Sequence, residues 1–296
     1  MIKTSSTIFS HHKWNYVEIK TRYIVKMKKI LFATLLSFSC ISAFAADTAK
    51  GNVDPTFAKA QELIQAKNYP AAYQELERLA KAGNAQALYN LGYLTQTGQG
   101  TTKDDKKALK YYQDASAKGY PVASYVLAQS YAVGQLGLAK DEKKVREYLE
   151  KSSTQGFDDA TVELAVLLFA EGTPASDKLG LQKLDPLVKK DFAPAIHAKA
   201  LYDITDGLKK KNATAVNQGL KSIQDLAKKG YIPALMAVGN MLTNGNIIDQ
   251  NLPEAQKIFS ELAKNNVPKA KESLDVVNKL IAEKGKTPAP AAPAKK

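Results

Sequence analysis

Residues 83–119 read GNAQALYNLGYLTQTGQGTTKDDKKALKYYQDASAKG, with small and apolar residues at regular spacings. Within it, Gly83 is followed four residues later by Ala87, and Ala87 is followed five residues later by a second small residue, Gly92. The apolar residues around them recur three or four positions apart, as on one face of an α-helix. Glycine at both ends of 98–100 interrupts this pattern, so we predict a first helix that ends there.

The remainder of the stretch predicts a second helix. Asp104 is a residue type that accepts hydrogen bonds from the first backbone N–H groups of a helix. Ala108, Tyr111 and Tyr112 follow at helical spacing, and Gly119 ends the segment. We therefore predict two helices joined by a tight loop.

The same pattern occurs five times along the chain. The alanine that corresponds to Ala87 returns after 36, 37, 35 and 39 residues, and a small residue follows five positions after each copy. The five alanines are Ala87, Ala123, Ala160, Ala195 and Ala234, and the five small residues are Gly92, Ala128, Ala165, Ala200 and Gly239. A small residue there allows the two helices of a pair to approach closely. Such a period is typical of an α-solenoid, a stack of helix pairs.

The third and fourth copies depart from the pattern. Asp141 and Asn251 precede the second helix in the second and fifth copies, and Ser176 is the corresponding residue of the third. We expect Pro186 to interrupt the second helix of the third copy, because proline has no N–H group to donate. Residues 209–211, three lysines, are expected to lengthen the loop of the fourth copy.

These residues resemble the Sel-one-like repeat (SLR), a relative of the tetratricopeptide repeat. The resemblance covers about residues 83–266. It implies an all-α fold, a right-handed α-solenoid of about five helix-turn-helix repeats with helical caps. It also implies a scaffold that holds protein complexes together through the concave surface of its first helices, and bacterial members of the family act in the cell envelope or toward hosts.

Helical caps are expected at both ends of the array, because a solenoid must cover its last apolar faces. Residues 55–82 predict an N-terminal capping pair, divided at Asn68, and residues 267–284 predict a closing helix. Residues 46–54 read as a linker. Residues 285–296 are rich in Pro, Ala and Lys and predict a disordered tail.

The N-terminal segment predicts export. Lysines 28–29 precede an uncharged run, residues 30–46, and the sequence from Ala43 to Ala45 has the small-x-small form of a cleavage site. We expect residues 27–45 to be a signal peptide cleaved near Ala45. This predicts a periplasmic or secreted protein, with no stable membrane span after cleavage.

Alternatives remain at this end of the chain. A transmembrane anchor is disfavoured because the uncharged run is at the short limit for spanning a bilayer. Lipidation at Cys40 is disfavoured because Ser37 and Phe38 depart from the pattern that a lipoprotein needs before its cysteine. We expect translation to start at Met27 rather than at Met1, which makes residues 1–26 a mis-called extension.

Charge and composition exclude several function classes. Residues 46–296 carry 35 basic and 28 acidic residues, a net charge of +7 against +13 for the whole chain. With a secretory address, this modest charge argues against a nucleic-acid partner. Cys40 is the single cysteine and His197 the single histidine after residue 45, so a disulfide framework or zinc cluster is not expected. We find no nucleophile or phosphate-loop motif, and we predict no catalytic residue, cofactor or metal.

Tyrosines concentrate in the first two repeats and predict a binding surface. Seven of the twelve tyrosines after residue 45 lie between positions 89 and 131. Tyrosine offers an apolar ring and a hydroxyl at a small entropic cost, which suits recognition. The predicted partner-binding residues lie on one face of the first helices and are Tyr89, Tyr93, Tyr125, Gln129, His197 and Asn240. The rings could instead fill the core between repeats, and this alternative stays open.

We therefore predict a periplasmic or secreted scaffold or adaptor that binds a protein or peptide partner of the cell envelope. A peptidoglycan- or carbohydrate-binding protein is the first alternative, since Tyr and Asn in a groove also suit sugars. The second is a β-lactamase-like hydrolase, by a label given to some cysteine-rich secreted relatives. This chain lacks their cysteine pairs and any acyl-transfer arrangement, which disfavours hydrolysis.

Overall fold

The structure, a computed structural model, describes residues 57–284. The predicted signal peptide, the extension before it, the linker at 46–54 and the tail at 285–296 lie outside the described residues. Within them, all regular structure is helical, with no strand. The prediction of an all-α fold is confirmed for this part of the chain. None of its helices combines the length and the apolar character that a membrane span requires.

Thirteen helices follow one another at short intervals across residues 57–284. Their bounds are α1 Ala58–Gln65, α2 Tyr69–Lys81, α3 Ala85–Thr97, α4 Asp105–Ala117, α5 Pro121–Val133, α6 Glu142–Thr154, α7 Asp158–Glu171, α8 Pro174–Lys189, α9 Ala193–Lys209, α10 Ala213–Lys228, α11 Ile232–Asn244, α12 Leu252–Lys264 and α13 Ala270–Lys284. Helices α1 and α2 form a pair that precedes the repeats. Each repeat then supplies one pair, from α3–α4 to α11–α12, and α13 follows the last.

The described helices belong to two compact units, residues 57–187 and residues 188–284. In the first unit, successive apolar clusters take residues from neighbouring helix pairs, from Phe57 at its start to Leu168. In the second unit, one cluster extends from Ala200 to Val277 and reaches α13. Within each unit the core therefore continues from one helix pair to the next, as expected for stacked repeats.

The small residue predicted in each first helix lies where the second helix crosses it. A Cβ atom added to Gly92 would lie 2.8 Å from Cε1 of Tyr112, and one added to Gly239 would lie 2.6 Å from Cζ of Phe259. The three alanines at this position, Ala128, Ala165 and Ala200, are buried. The predicted close approach is confirmed: an aromatic ring of the second helix occupies the space that a larger side chain would need in the first and fifth repeats.

The second residue after the second helix of each repeat has the left-handed conformation. This residue is Gly119, Gly156 or Gly230, with φ of 88°, 94° and 80°, and Asp191 or Asn266, with φ of 55° and 53°. Glycine adopts this conformation without strain, and Asn and Asp tolerate it better than other residues do. The backbone thus explains why the recurring glycine is replaced only by Asp or Asn.

Three predicted helix starts are confirmed. The side chain of Asp104 accepts a hydrogen bond from the backbone N–H of Lys107 at 2.9 Å. Asp141 caps α6 and Asn251 caps α12 in the same way. These caps satisfy backbone donors that have no partner inside the helix.

The prediction for Ser176 is wrong, because Thr173 caps α8. The N–H of Ser176 donates to Oγ1 of Thr173 at 3.1 Å, and the N–H of Thr173 donates to Oγ of Ser176 at 3.2 Å. This reciprocal pair resembles a capping box and places Ser176 inside the first turn. The helix therefore begins at Pro174, a favourable residue for the first turn.

Two further sequence predictions are corrected. Pro186 does not interrupt α8, which continues to Lys189. The proline lies in the last turn, beside the buried Leu184 and Leu187, whose packing holds that turn in place. The lysines at 209–211 do not lengthen a loop: α9 has 17 residues and α10 has 16, so the extra residues extend the helices.

Candidate functional site

The predicted binding residues lie on first helices in both units. In the first unit they are Tyr89 and Tyr93 on α3 and Tyr125 and Gln129 on α5, and in the second unit they are His197 on α9 and Asn240 on α11. Tyr93, Gln129 and Asn240 are half-buried, whereas the other three are buried. The structure therefore separates the set into residues at the surface and residues beneath it.

The three buried residues pack against aromatic residues that precede the next first helix. The ring pairs and their centroid distances are Tyr89 with Tyr120 at 5.2 Å, Tyr125 with Phe157 at 5.0 Å and His197 with Tyr231 at 5.6 Å. The exposed fractions of Tyr89, Tyr125 and His197 are 4%, 3% and 3%. This corrects the sequence-based picture, because these rings belong to the core between repeats and do not line an open wall.

The sequence held a signal for this burial. An aromatic residue follows the turn glycine at Tyr120, Phe157 and Tyr231, and the structure places each of them immediately before a first helix. A ring at that point covers the face of the preceding first helix. In these three repeats, the residue two positions after the repeat alanine is therefore shielded, whatever its polarity.

His197 shows the consequence for a polar side chain. Burial lowers its pKa to about 4. Neither of its ring nitrogens has a hydrogen-bond partner among the described residues. The imidazole is thus neutral at pH 7 and packs as an aromatic ring on Tyr231.

Sequence reasoning missed Glu163, which joins the second repeat to the third. The hydroxyl of Tyr125 donates to Oε1 of Glu163 at 2.5 Å, and Nε2 of Gln129 donates to Oε2 at 2.6 Å. Glu163 lies on α7 with 8% of its surface exposed. The first helices α5 and α7 are thus connected side by side through one buried carboxyl group.

Glu163 is held in an environment that disfavours its charge. Burial raises its pKa to about 7, and Asp159 adds to this effect, although the bonds from Tyr125 and Gln129 oppose it. In the other four repeats the equivalent position holds Asn90, Val126, Ala198 and Ala237. A carboxylate inside the otherwise uncharged, mostly apolar stretch at 160–170 was the sequence signal for this site.

The pKa of Glu163 predicts a dependence of stability on pH. The pKa is about 7 in the folded chain and 4.5 for an ordinary glutamate, so the unfolded chain loses this proton at lower pH. The protonated side chain makes its full contribution to the free energy of unfolding below pH 4.5, and this contribution is lost as pH rises through 7. We therefore compare the free energy of unfolding of Glu163→Gln with that of the wild type at each pH. From pH 5 to pH 8, this difference should shift by about 1–3 kcal/mol in favour of the variant.

Urea denaturation of both proteins at the two pH values measures this difference. Glu142→Gln is the control, because Glu142 is exposed in the first turn of α6. The free energy of unfolding of this control, relative to the wild type, should not show the shift expected for Glu163→Gln. If the free energies of unfolding of the wild type and Glu163→Gln changed equally with pH, this would contradict the raised pKa of Glu163.

The half-buried residues define the surface part of the candidate site. Tyr93 lies one helical turn after Tyr89 on α3, where it packs partly against the apolar cluster that joins α1 and α2 to α3. Gln129 lies one turn after Tyr125 on α5, and its amide is fixed by Glu163. In the second unit, Asn240 holds the corresponding position on α11. No group of three or more His, Cys, Asp or Glu side chains within residues 57–284 could hold a metal ion.

Known proteins share this arrangement of helix pairs. The family model of the Sel1 repeat matches residues 85–120, 121–157 and 232–267. These ranges correspond to the pairs α3–α4, α5–α6 and α11–α12. Human and mouse Protein sel-1 homolog 2 are each 40% identical over 68 residues, which are 23% of this chain and 10% of the relative. The chain thus spans about a tenth of the length of these relatives.

Two solved structures have a similar fold. A Sel1 repeat protein from Oxalobacter formigenes is 23% identical, with a TM-score of 0.61 over 82% of this chain and 93% of its own. A protective antigen present in uropathogenic Escherichia coli strains, which displays an SLR fold, is 19% identical, with a TM-score of 0.56 over 77% of this chain and 54% of its own. The chain therefore contains Sel1 repeats at residues 85–157 and 232–267, as the resemblance in its sequence predicted, and its fold is similar to that of a Sel1 repeat protein.

Proposed function

We propose that the chain is a non-catalytic periplasmic or secreted scaffold that binds a protein or peptide partner on its first helices. Sel1 repeats are typical of scaffolds for protein–protein interaction. Stacked helix pairs present extended surfaces rather than single clefts, and repeat proteins use such surfaces for binding. The proposal places the contact on the face that bears Tyr93 and Gln129 in the first unit, with Asn240 as the equivalent residue in the second.

The observation that carries the proposal is the fixed position of Gln129. Its amide nitrogen donates to Oε2 of Glu163 at 2.6 Å, and Oε1 of Glu163 accepts a hydrogen bond from the hydroxyl of Tyr125. A half-buried side chain held by a neighbouring repeat loses little freedom when a partner binds, so its contacts cost less entropy. Neighbouring first helices thus offer a preorganised polar surface above an aromatic core.

Capture from an envelope extract tests the proposal. We expect the immobilised chain to retain a protein partner, and the double variant Tyr93→Ala/Gln129→Ala to bind it about tenfold more weakly. Lys151→Ala is the matched control, since Lys151 is exposed on the second helix α6. A thermal melt of each variant separates loss of contact from loss of fold.

Three outcomes would count against this proposal. Equal affinity of the double variant and the wild type would move the contact elsewhere. Retention of peptidoglycan fragments in place of protein would favour the carbohydrate-binding alternative. Retention of neither would contradict the scaffold role in the envelope.

The proposed location rests on the sequence of residues 27–45. N-terminal sequencing of the native protein is expected to begin at Ala46, the residue after the small-x-small motif. Fractionation should place this form outside the cytoplasm. A cytoplasmic protein that keeps residues 27–45 would contradict the proposed address without affecting the binding surface.

A further inference from the structure

A second cluster of polar side chains lies between the N-terminal pair and the first repeat, on the second helices α2 and α4. Tyr73 belongs to α2, and Lys107 and Tyr111 lie one turn apart on the second helix α4. The hydroxyl oxygens of Tyr73 and Tyr111 are 3.3 Å apart. The ammonium nitrogen of Lys107 lies 5.6 Å and 5.7 Å from the centroids of these two rings.

Lys107 is held by aromatic rings instead of a carboxylate. Both ring distances lie within the range of cation–π contacts. No carboxylate among residues 57–284 approaches its nitrogen to the 4.0 Å of an ion pair, although Glu77 and Asp104 attract it over a longer range. Asp104 already accepts a hydrogen bond from the backbone N–H of Lys107. The exposed ammonium group therefore keeps hydrogen-bonding capacity for a ligand.

The next repeat provides an internal comparison. Lys144 occupies the position of Lys107, and Tyr148 occupies that of Tyr111. Nζ of Lys144 lies 2.7 Å from Oε2 of Glu147, three residues later on the same helix. The residue three positions after Lys107 is Lys110. In the second repeat, α6 thus places a carboxylate beside its lysine. In the first repeat, α4 places another lysine, Lys110, at the equivalent position.

The three side chains supply O–H and N–H groups that can donate hydrogen bonds to an oxyanion. When one of two hydroxyl groups donates a hydrogen bond to the other, the proton of the second hydroxyl stays available for a further acceptor. An ammonium group beside them adds charge-assisted N–H donors. The three groups already interact: burial acts to raise the pKa of Tyr73, but hydrogen bonding, first from Tyr111, and the charge of Lys107 outweigh it and lower that pKa.

We propose that Tyr73, Lys107 and Tyr111 form an oxyanion-binding site that takes a phosphate or carboxylate group. The group is carried either by a small solute or by an acidic side chain of a protein partner. Lys106 and Lys110 on α4 add positive charge around the site. Glu77 on α2 and Asp104 at the start of α4 are the acidic residues that oppose it. The contacts that define this site involve none of the residues of the proposed first-helix surface.

Titration of the chain with inorganic phosphate at constant ionic strength tests the site. With isotope-labelled tyrosines, we expect saturable shifts of the Tyr73 and Tyr111 ring signals. Lys107→Met should weaken phosphate binding about threefold to fivefold, as for an exposed charge pair. Tyr111→Phe should also weaken it while retaining the ring, and Glu77→Gln should strengthen it. Lys144→Met, at the paired lysine of the next repeat, should have no effect.

A second arm of the experiment distinguishes the two sources of the oxyanion. A capped tetraglutamate peptide that binds more tightly than phosphate, with the same dependence on Lys107, identifies an acidic segment of a partner. Phosphate binding with no response to the peptide identifies a small solute. The proposal is overturned if the ring signals do not saturate with either probe. It is also overturned if Lys107→Met and Lys144→Met weaken binding equally, since that would reflect only net charge.

Discussion

Replacement of Tyr112 by alanine is expected to lower the free energy of unfolding by about 3–5 kcal/mol. The ring of Tyr112 is 1% exposed and occupies the space above Gly92, where a single added Cβ would lie 2.8 Å from it. Its hydroxyl donates to Oε1 of Gln96 at 2.8 Å, which joins α4 back to α3. Urea denaturation followed by circular dichroism measures the loss.

Tyr112→Phe is the matched control, because it keeps the ring and removes one hydrogen bond. We expect it to lower the free energy of unfolding by about 0.5–1.5 kcal/mol. A loss below about 1 kcal/mol for Tyr112→Ala would show that the ring does not hold the helix pair together. The assignment of Gly92 and Tyr112 to the crossing point of the two helices would then have to be revised.

Gly100→Ala is expected to lower the free energy of unfolding by about 2–5 kcal/mol. Gly100 has φ of 71°, and the left-handed conformation costs a residue with a Cβ about 1–2 kcal/mol. An added Cβ would also lie 2.4 Å from the backbone oxygen of Tyr69 and 2.9 Å from the nitrogen of Pro70. Backbone atoms cannot rotate away as a side chain can, so overpacking adds about 1–3 kcal/mol.

Gly119→Ala separates these two contributions. Gly119 has φ of 88°, but an added Cβ would meet no atom within 4 Å. Only the cost of the left-handed conformation remains, about 1–2 kcal/mol. Equal losses for the two variants in urea denaturation would mean that the loop at Gly100 does not approach the start of α2.

Much of the fold could be predicted from the sequence because its determinants are local. The small residues at Gly92 and Gly239 and the caps at Asp104 and Asn251 act within one helix pair, and the turn position at Gly119 acts directly after one. Repetition of the pattern made these assignments reinforce one another.

The errors arose where two local signals competed. Thr173 and Ser176 both suit a helix start, and only the direction of their mutual hydrogen bonds shows which one is the cap. A proline usually ends a helix, but the buried leucines on both sides of Pro186 hold the last turn of α8 in place. The sequence at 209–211 fits a loop or a longer helix equally well.

The site was harder to predict because it depends on contacts between repeats. Tyr89 and Tyr125 lie on the predicted face, but the aromatic residue that begins the next first helix covers each ring. The partners of Glu163 are 34 and 38 residues away in sequence, so spacing within one helix could not reveal them. Side-chain burial across a repeat boundary requires the three-dimensional arrangement.

Site-specific photo-crosslinking in cells tests the proposed binding surface most directly. A photoreactive phenylalanine analogue replaces Tyr93 or Gln129 on the first-helix face, and Lys118 or Lys151, exposed at the ends of second helices, in control proteins. We predict a crosslinked protein partner at positions 93 and 129 and none at positions 118 and 151. Crosslinks of equal yield at the control positions, or their absence at 93 and 129, would contradict a scaffold that binds through its first helices.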